Sequence, residues 1–289
     1  MSSIRKLINQ TAIYGTSSII GRFLNFLLTP LYALQFSNEQ YGIITEMYAY
    51  VAFLVVFLTY GMETAFFRFS TTNKEGKINI YSNTLYSLIT SSAIFVAMAT
   101  IFSQNIADWL KYPNHKEYII WFSLIVSLDA VSSIPLAKLR LQEKAKKFAL
   151  VNLLNVGVNI FLNLFFLIYC KEAFESGHTN WITENLYNPK IGVGYVFISN
   201  LIASLMKFGV LMPTMSFKGT FDFTILKQMV SYAGPMLLVG LAYVVNETLD
   251  RAMLKSILFN QYLENGDAKN SSQALSMALS QNGIYGANY

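Results

Sequence analysis

Seven stretches of predominantly apolar residues, each closed off by polar or charged ones, set what this chain can become. They run over Thr11–Gln35, Tyr41–Phe69, Asn83–Ala107, Glu117–Leu139, Phe148–Cys170, Ile191–Met215 and Met229–Leu258. A helix rises about 1.5 Å per residue, so a run of about twenty residues spans the roughly 30 Å hydrocarbon core of a bilayer. The composition points the same way. Hydrophobic residues make up 54% of the chain and charged residues 13%, whereas soluble domains carry about a quarter charged residues, so there is too little charge here to solvate a globular surface. The chain is expected to be an all-α integral membrane protein, a bundle of about seven transmembrane helices. The first run is too long for the h-region of a cleavable signal peptide and reads as the first span.

A net charge of +5 raises the question of nucleic acid, but the basic residues lie between the apolar runs instead of forming one patch, so no nucleic-acid partner is expected. Alternate loops divide them unequally. One set holds Arg5 and Lys6, then Arg68, Lys74 and Lys77, then Lys138, Arg140, Lys144, Lys146 and Lys147, then Lys218 and Lys227. The other holds Lys111, Lys116, Lys171, Lys190 and Lys269. Cationic loops are retained in the cytoplasm, which places the N-terminus there. Cys170 is the only cysteine, so no internal disulfide and no cysteine metal site is possible. His115 and His178 are far apart in loops, and no metal or cofactor is expected.

Polar groups at bilayer depth cost several kcal/mol unless they face a partner or a wet cavity, so those inside the spans carry the most information. On the first span Gly15, Ser18, Arg22, Asn25 and Thr29 share one stripe at spacings of three and four. Arg22 sits near its middle, either paired to a carboxylate or serving as an anion site. On the second span Glu46, Tyr50, Tyr60, Thr64 and Arg68 fall on one arc, with Glu63 off it; Glu46 would snorkel or line the outer mouth, and Arg68 would anchor at the interface. Asp129 on the fourth span is either held by Ser132 and Ser133 or is a proton or sodium site. Asn152, Asn155, Asn159 and Asn163 form a stripe on the fifth span, suited to helix packing or to sugar hydroxyls, because amides donate and accept. Asn200, Ser204 and Lys207 share a face of the sixth. The seventh bends at Gly234-Pro235 and then carries Asn246, Glu247, Asp250, Arg251 and Lys255, with Glu247 and Arg251 spaced to pair along the helix. That cluster is an outward-facing helix end or a cavity wall.

Tyr285-Gly286 after the seventh span echoes Tyr41-Gly42 after the first. A repeat of six spans would follow, re-entering the membrane with the same orientation. On that reading residues 1–215 form a six-helix lobe, 216–228 a cytoplasmic linker, and 229–289 the first helix of a second lobe and the start of the next, so the chain is expected to be incomplete. No phosphate-binding glycine loop, HExxH motif or acidic loop cluster is present, which argues against ATP use, metal-assisted transferase chemistry and enzymatic activity generally.

The stretch Gly21-Arg22-Phe23-Leu24-Asn25-Phe26-Leu27-Leu28-Thr29-Pro30-Leu31-Tyr32, then Tyr41-Gly42-Ile43 and Gly61-Met62-Glu63-Thr64-Ala65-Phe66-Phe67-Arg68-Phe69, resemble the polysaccharide-export or oligosaccharide flippases of the O-antigen type, within the multidrug/oligosaccharidyl-lipid/polysaccharide exporter superfamily. So do the basic linker before Phe148, the asparagine-rich span, Gly234-Pro235, Leu249-Asp250-Arg251 and Gly283-Ile284-Tyr285-Gly286. The resemblance implies two six-helix lobes around a central cavity in a bacterial inner membrane. It implies outward flipping of a polyprenyl-diphosphate-linked oligosaccharide for surface polysaccharide such as lipopolysaccharide, beside a polysaccharide polymerase and a chain-length regulator. Arg22, with Lys207 and Arg251, would hold the diphosphate; Asn25, Asn155, Asn159 and tyrosines would meet sugar; Glu46, Asp129, Glu247 or Asp250 would carry a coupling ion. An ion-coupled multidrug exporter would instead show an acid-led cavity, and a membrane-embedded polymerase or transferase a long outer loop with paired basic residues, unlike Lys171–Lys190.

The loop charges predict that cysteines placed at Asn180 and at Ala145 react with an impermeant thiol reagent from opposite sides, the first from outside and the second from inside. The reverse pattern would invert the topology.

Overall fold

The computed structural model describes residues 2–72, 77–177 and 181–288, and among these it is built of α-helices with short π and 3-10 turns and no strand. Asn180 and His178 lie outside the described residues. The helices are α1 (Ser2–Phe26), α2 (Leu28–Gln35), α3 (Asn38–Thr59), α4 (Met62–Thr72), α5 (Lys77–Ile101), α6 (Ser103–Trp109), α7 (Lys116–Leu141), α8 (Ala145–Leu164), α9 (Lys171–Glu175), α10 (Trp181–Leu186), α11 (Gly194–Leu211), α12 (Phe223–Glu264) and α13 (Ser271–Asn288). Seven segments are long and apolar enough to cross a membrane: Gln10–Gln35, Asn38–Thr72, Ile80–Ile101, Lys116–Leu141, Ala145–Glu175, Gly194–Thr214 and Phe223–Glu264. Among the described residues these are the seven expected spans, with the third and sixth shorter and the others longer than the apolar runs alone suggested.

Several spans are broken for local reasons. The first interrupts at Leu27, three residues before Pro30, whose missing N–H and bulky ring disfavour a continuous helix. The second turns at Tyr60 and Gly61, both left-handed (φ 34° and 71°), so α4 does not continue the helical phase of α3. The arc drawn through Glu46 and Arg68 is thereby divided: Glu46 faces the bundle, Glu63 pairs with Arg140 of α7, and the exposed Arg68 stacks on Tyr232, 4.3 Å from the ring centre. Pro135, by contrast, sits within an unbroken α7. Ser37 and Gln40 form a reciprocal capping box at the start of α3, and Asp222 caps α12 by accepting from the Thr224 and Ile225 amides.

The alternating helices define two ends of the bundle. The basic end gathers Lys138, Arg140, Lys144 and Lys227; the far end holds the α2–α3, α6–α7 and α12–α13 connections. α7 is the most buried of the seven spans and contacts α3, α4, α5, α8 and α11. An aromatic core of Tyr32, Tyr41, Tyr118, Phe122, Phe166 and Phe197 fills the far end, and a second core of Met62, Phe66, Leu85, Ile134 and Met229 fills the basic end. α12, at 42 residues, is about 60 Å long and packs along α3, α4 and α5.

The polar residues that follow the seventh apolar run are mostly helical: α12 continues to Glu264, and α13 lies against α3. Small residues allow that contact. A Cβ on Gly42 would run into the Leu279 carbonyl, one on Gly283 into the Asn38 carbonyl, and one on Gly286 into the Thr45 side chain. The two backbones thus touch where only hydrogen fits. Gly42→Ala and Gly283→Ala are each expected to destabilise by about 1–3 kcal/mol through overpacking. Gly157→Ala, which meets nothing within 4 Å, should be neutral or better. Thermal unfolding of the purified variants in detergent checks this, and unchanged melting of Gly42→Ala would remove the contact.

Candidate functional site

Between α1, α3, α7, α8, α11, α12 and α13 lies a cavity of about 610 Å³, within the usual range of ligand pockets, about 300–1,000 Å³. α1 and α2 contribute Asn25, Thr29 and Tyr32; α3 contributes Tyr41, Thr45 and Tyr48; α8 contributes Asn155 and Asn159. Asp129, Asn200, Thr248 and Arg251 complete its polar wall, and Gly286 and Ala287 of α13 close one side. The repeat of 3.6 residues makes this possible: Thr45 and Tyr48 on α3, and Asn155 and Asn159 on α8, are three or four apart and share a face. The lining is therefore rich in amides and hydroxyls that both donate and accept. The Asn155 amide nitrogen is buried with no hydrogen-bond partner, a donor whose desolvation is left uncompensated.

The charges at its edge are settled by neighbours. Asp129 is the carboxylate on the lining among the described residues. It accepts from Lys207 Nζ at 2.6 Å and Ser204 Oγ at 2.9 Å. Ser132 and Ser133 do not hold it, since the Ser133 hydroxyl bonds the Ala130 carbonyl and the Ser132 hydroxyl is buried without a partner. Lys207 thus turns to Asp129 and lies off the cavity lining, and the pair is close to neutral. Arg251 is the guanidinium on the wall among the described residues.

The other candidate positions are distributed differently. Arg22 is exposed and off this lining, although Asn25, one turn further along α1, is on it. The asparagine stripe divides: Asn163 is fully buried, accepts from the Tyr32 hydroxyl at 3.0 Å and donates to Asn159, whereas Asn155 and Asn159 reach the cavity. Glu247 is exposed, and the exposed Asp250 is hydrogen-bonded by Tyr285.

Glu46 neither snorkels nor lines a mouth. It is fully buried, with Lys255 Nζ at 2.7 Å from one oxygen. Tyr50 donates to the carboxylate at 3.0 Å and Tyr112 at 2.5 Å. Lys255 donates to the Leu110 carbonyl at 2.8 Å and lies 4.4 Å from the centre of the Tyr112 ring. Burial first, then the Glu46 charge, holds the Tyr112 phenol well above its usual pKa, so its proton stays on oxygen and points at the carboxylate. The pair ties α3, α12 and the α6–α7 connection together outside the cavity.

The sequence profile of the family described as "Polysaccharide biosynthesis protein" matches residues 35–280. The chain belongs to that family, which is of the flippase type. No curated protein and no solved structure matches it. Membership gives this membrane protein a role in polysaccharide biosynthesis and export, and the matched residues contain most of the cavity wall described above.

Family membership was legible in the sequence through short motifs that include Tyr32 and Tyr41, and tyrosines were expected to meet sugar, but none was assigned to the cavity by number. Tyr32, Tyr41 and Tyr48 each show an ordinary aromatic in an apolar run. The available signal was Thr45, Tyr48 and Ala52, a polar-to-small stripe on α3 separate from the one through Glu46. Asn200 had been placed with Ser204 and Lys207, and it does share their helix face, but it donates to the Tyr48 hydroxyl at 3.0 Å.

Breaking one half of a buried ion pair leaves a charge without compensation, at about 3–5 kcal/mol. Glu46→Gln and Lys255→Met should each lower thermal stability by that order, and the double variant should recover most of the loss. Additive losses in the double variant would show that the two side chains are not coupled.

Proposed function

We propose that this protein carries a polyprenyl-diphosphate-linked oligosaccharide across the bacterial inner membrane by alternating access, without chemistry on the substrate and with its basic end in the cytoplasm. The observation that carries the reading is the cavity wall: amides, phenols and hydroxyls for sugar, one guanidinium for phosphate, and a carboxylate already matched by a lysine. A diphosphate leaving water needs charge-assisted donors, and the planar fork of Arg251 meets phosphate oxygens in pairs. Asn155, with its unpartnered buried donor, and Asn159 suit sugar oxygens. A drug exporter for organic cations would need an acid without a matching base at this position, and Asp129 is matched. Arg22 lies one turn toward the N-terminal side of Asn25, where it would meet the phosphate on entry and not in the cavity itself. Asp129 with Lys207 is the pair placed to exchange a coupling proton with the cavity, and a polymerase and chain-length regulator would act on the product.

In vesicles loaded with a fluorescent polyprenyl-diphosphate oligosaccharide, Arg251→Gln should lower flipping by roughly 10- to 100-fold, matching about 1.5–3 kcal/mol for a hydrogen bond to a charged group. Arg251→Lys should keep part of the activity, and Arg22→Gln should lose less than Arg251→Gln. Full activity of Arg251→Gln at normal protein level would remove the anionic cavity and the reading with it.

A further inference from the structure

A second void, of about 480 Å³, lies on the other side of α3 and α12 from the polar cavity, between them and α5, α6 and α7. Its walls are almost wholly hydrocarbon. α3 gives Met47, Phe53 and Leu54 and α12 gives Val245, Leu249 and Ala252. Two residues, Ala49 and Thr248, line both voids, so the two lie back to back across the seam between α3 and α12.

Both helices change character at that seam. On α3, Thr45 and Tyr48 face the polar cavity, and Phe53 and Leu54 face the apolar groove, with Ala49 at the divide. On α12, Arg251 faces the cavity, and Val245, Leu249 and Ala252 face the groove, with Thr248 at the divide. The seam is itself apolar. Ala49 offers a methyl, and the Thr248 hydroxyl is spent on the Val244 carbonyl at 2.9 Å, so no free hydroxyl need be desolvated by a passing hydrocarbon. Phe53, Val245 and Leu249 remain 37–39% exposed, which opens the groove sideways to lipid. At the far end it is bounded by Trp109 and Leu110, and there Lys255 holds the Leu110 carbonyl and Glu46.

We infer that the groove is the subsite for the polyprenyl chain of the molecule whose diphosphate and sugars occupy the polar cavity, the chain passing between α3 and α12 at Ala49 and Thr248. This rests on the function proposed above. A single substrate with a charged head and a long hydrocarbon tail needs one wet and one dry compartment in contact, and each of the two voids supplies one. The chain stays in an apolar environment while the head is held near Arg251, so neither part crosses the other's compartment.

The test uses the purified protein in vesicles of phosphatidylethanolamine and phosphatidylglycerol, with a polyprenyl diphosphate bearing a diazirine on its first isoprene units. Photolysis should label peptides spanning residues 47–54 and 245–252, and excess unlabelled polyprenyl diphosphate should abolish the labelling where excess phosphatidylglycerol does not. Equal labelling by a diazirine-bearing phosphatidylglycerol, undisplaced by polyprenyl diphosphate, would mean ordinary lipid only and would overturn the subsite. Leu249→Trp, on the groove wall alone, should fill the groove and remove its labelling, while water-soluble geranyl diphosphate still binds in an Arg251-dependent manner. Persistent groove labelling in a folded Leu249→Trp protein also overturns it; the displacement measurement on the unmodified protein decides the matter if that variant does not fold. Arg251-dependent geranyl diphosphate binding without groove labelling would refute the tail subsite and leave the transport function standing. Absence of Arg251-dependent binding altogether would refute both.

Discussion

The Glu46–Lys255 pair is the interaction on which the rest of the arrangement depends. Two opposite charges are buried in a chain with few charges to spend, and each is further satisfied, Glu46 by two phenols and Lys255 by a backbone carbonyl. Such a pair adds little net stability over well-packed apolar residues, but it tolerates only one registry, since any slip leaves a bare charge in an apolar surrounding. It therefore fixes how far α12 is advanced and how it is rotated against α3. A second close contact, where a Cβ on Gly61 would lie 2.6 Å from the Ala233 carbonyl, sets α12 against the turn between α3 and α4.

With α12 held in that rotation, its two faces acquire their meaning. Arg251 is turned toward the amides of α8 and the phenols of α3, and Val245, Leu249 and Ala252 are turned toward the apolar side. A rotation of α12 by a quarter turn would place the guanidinium against hydrocarbon. The Lys207–Asp129 pair acts in the same direction, because it matches the carboxylate on the cavity wall with a base. The family assignment gives a role in polysaccharide biosynthesis, and the proposed sugar-bearing substrate suits the amides and hydroxyls of the cavity wall.

The span pattern was readable because a bilayer imposes length and apolarity on each helix separately. Polar positions were readable for the same reason, since each stands out against its own run. Their partners were not. Lys207 reads as a cation suited to phosphate until Asp129, on a helix 78 residues away in sequence, is seen beside it. Glu46 reads as a residue near a membrane surface until Lys255, from the last span, meets it. The helical arc through Glu46 and Arg68 failed at Tyr60-Gly61, where two left-handed residues reset the phase, and α13 reaches the backbone of α3 through Gly42 on one side and Gly283 and Gly286 on the other.

By itself, then, the sequence determined that the chain spans a membrane with seven apolar helices, which residue types sit at depth, and which family they belong to, all properties that act one segment at a time. The tertiary structure alone decided which buried charges cancel and which face the cavity. Charge compensation in an apolar medium is settled by a few ångströms between helices distant in sequence, and no periodicity within one helix encodes that distance.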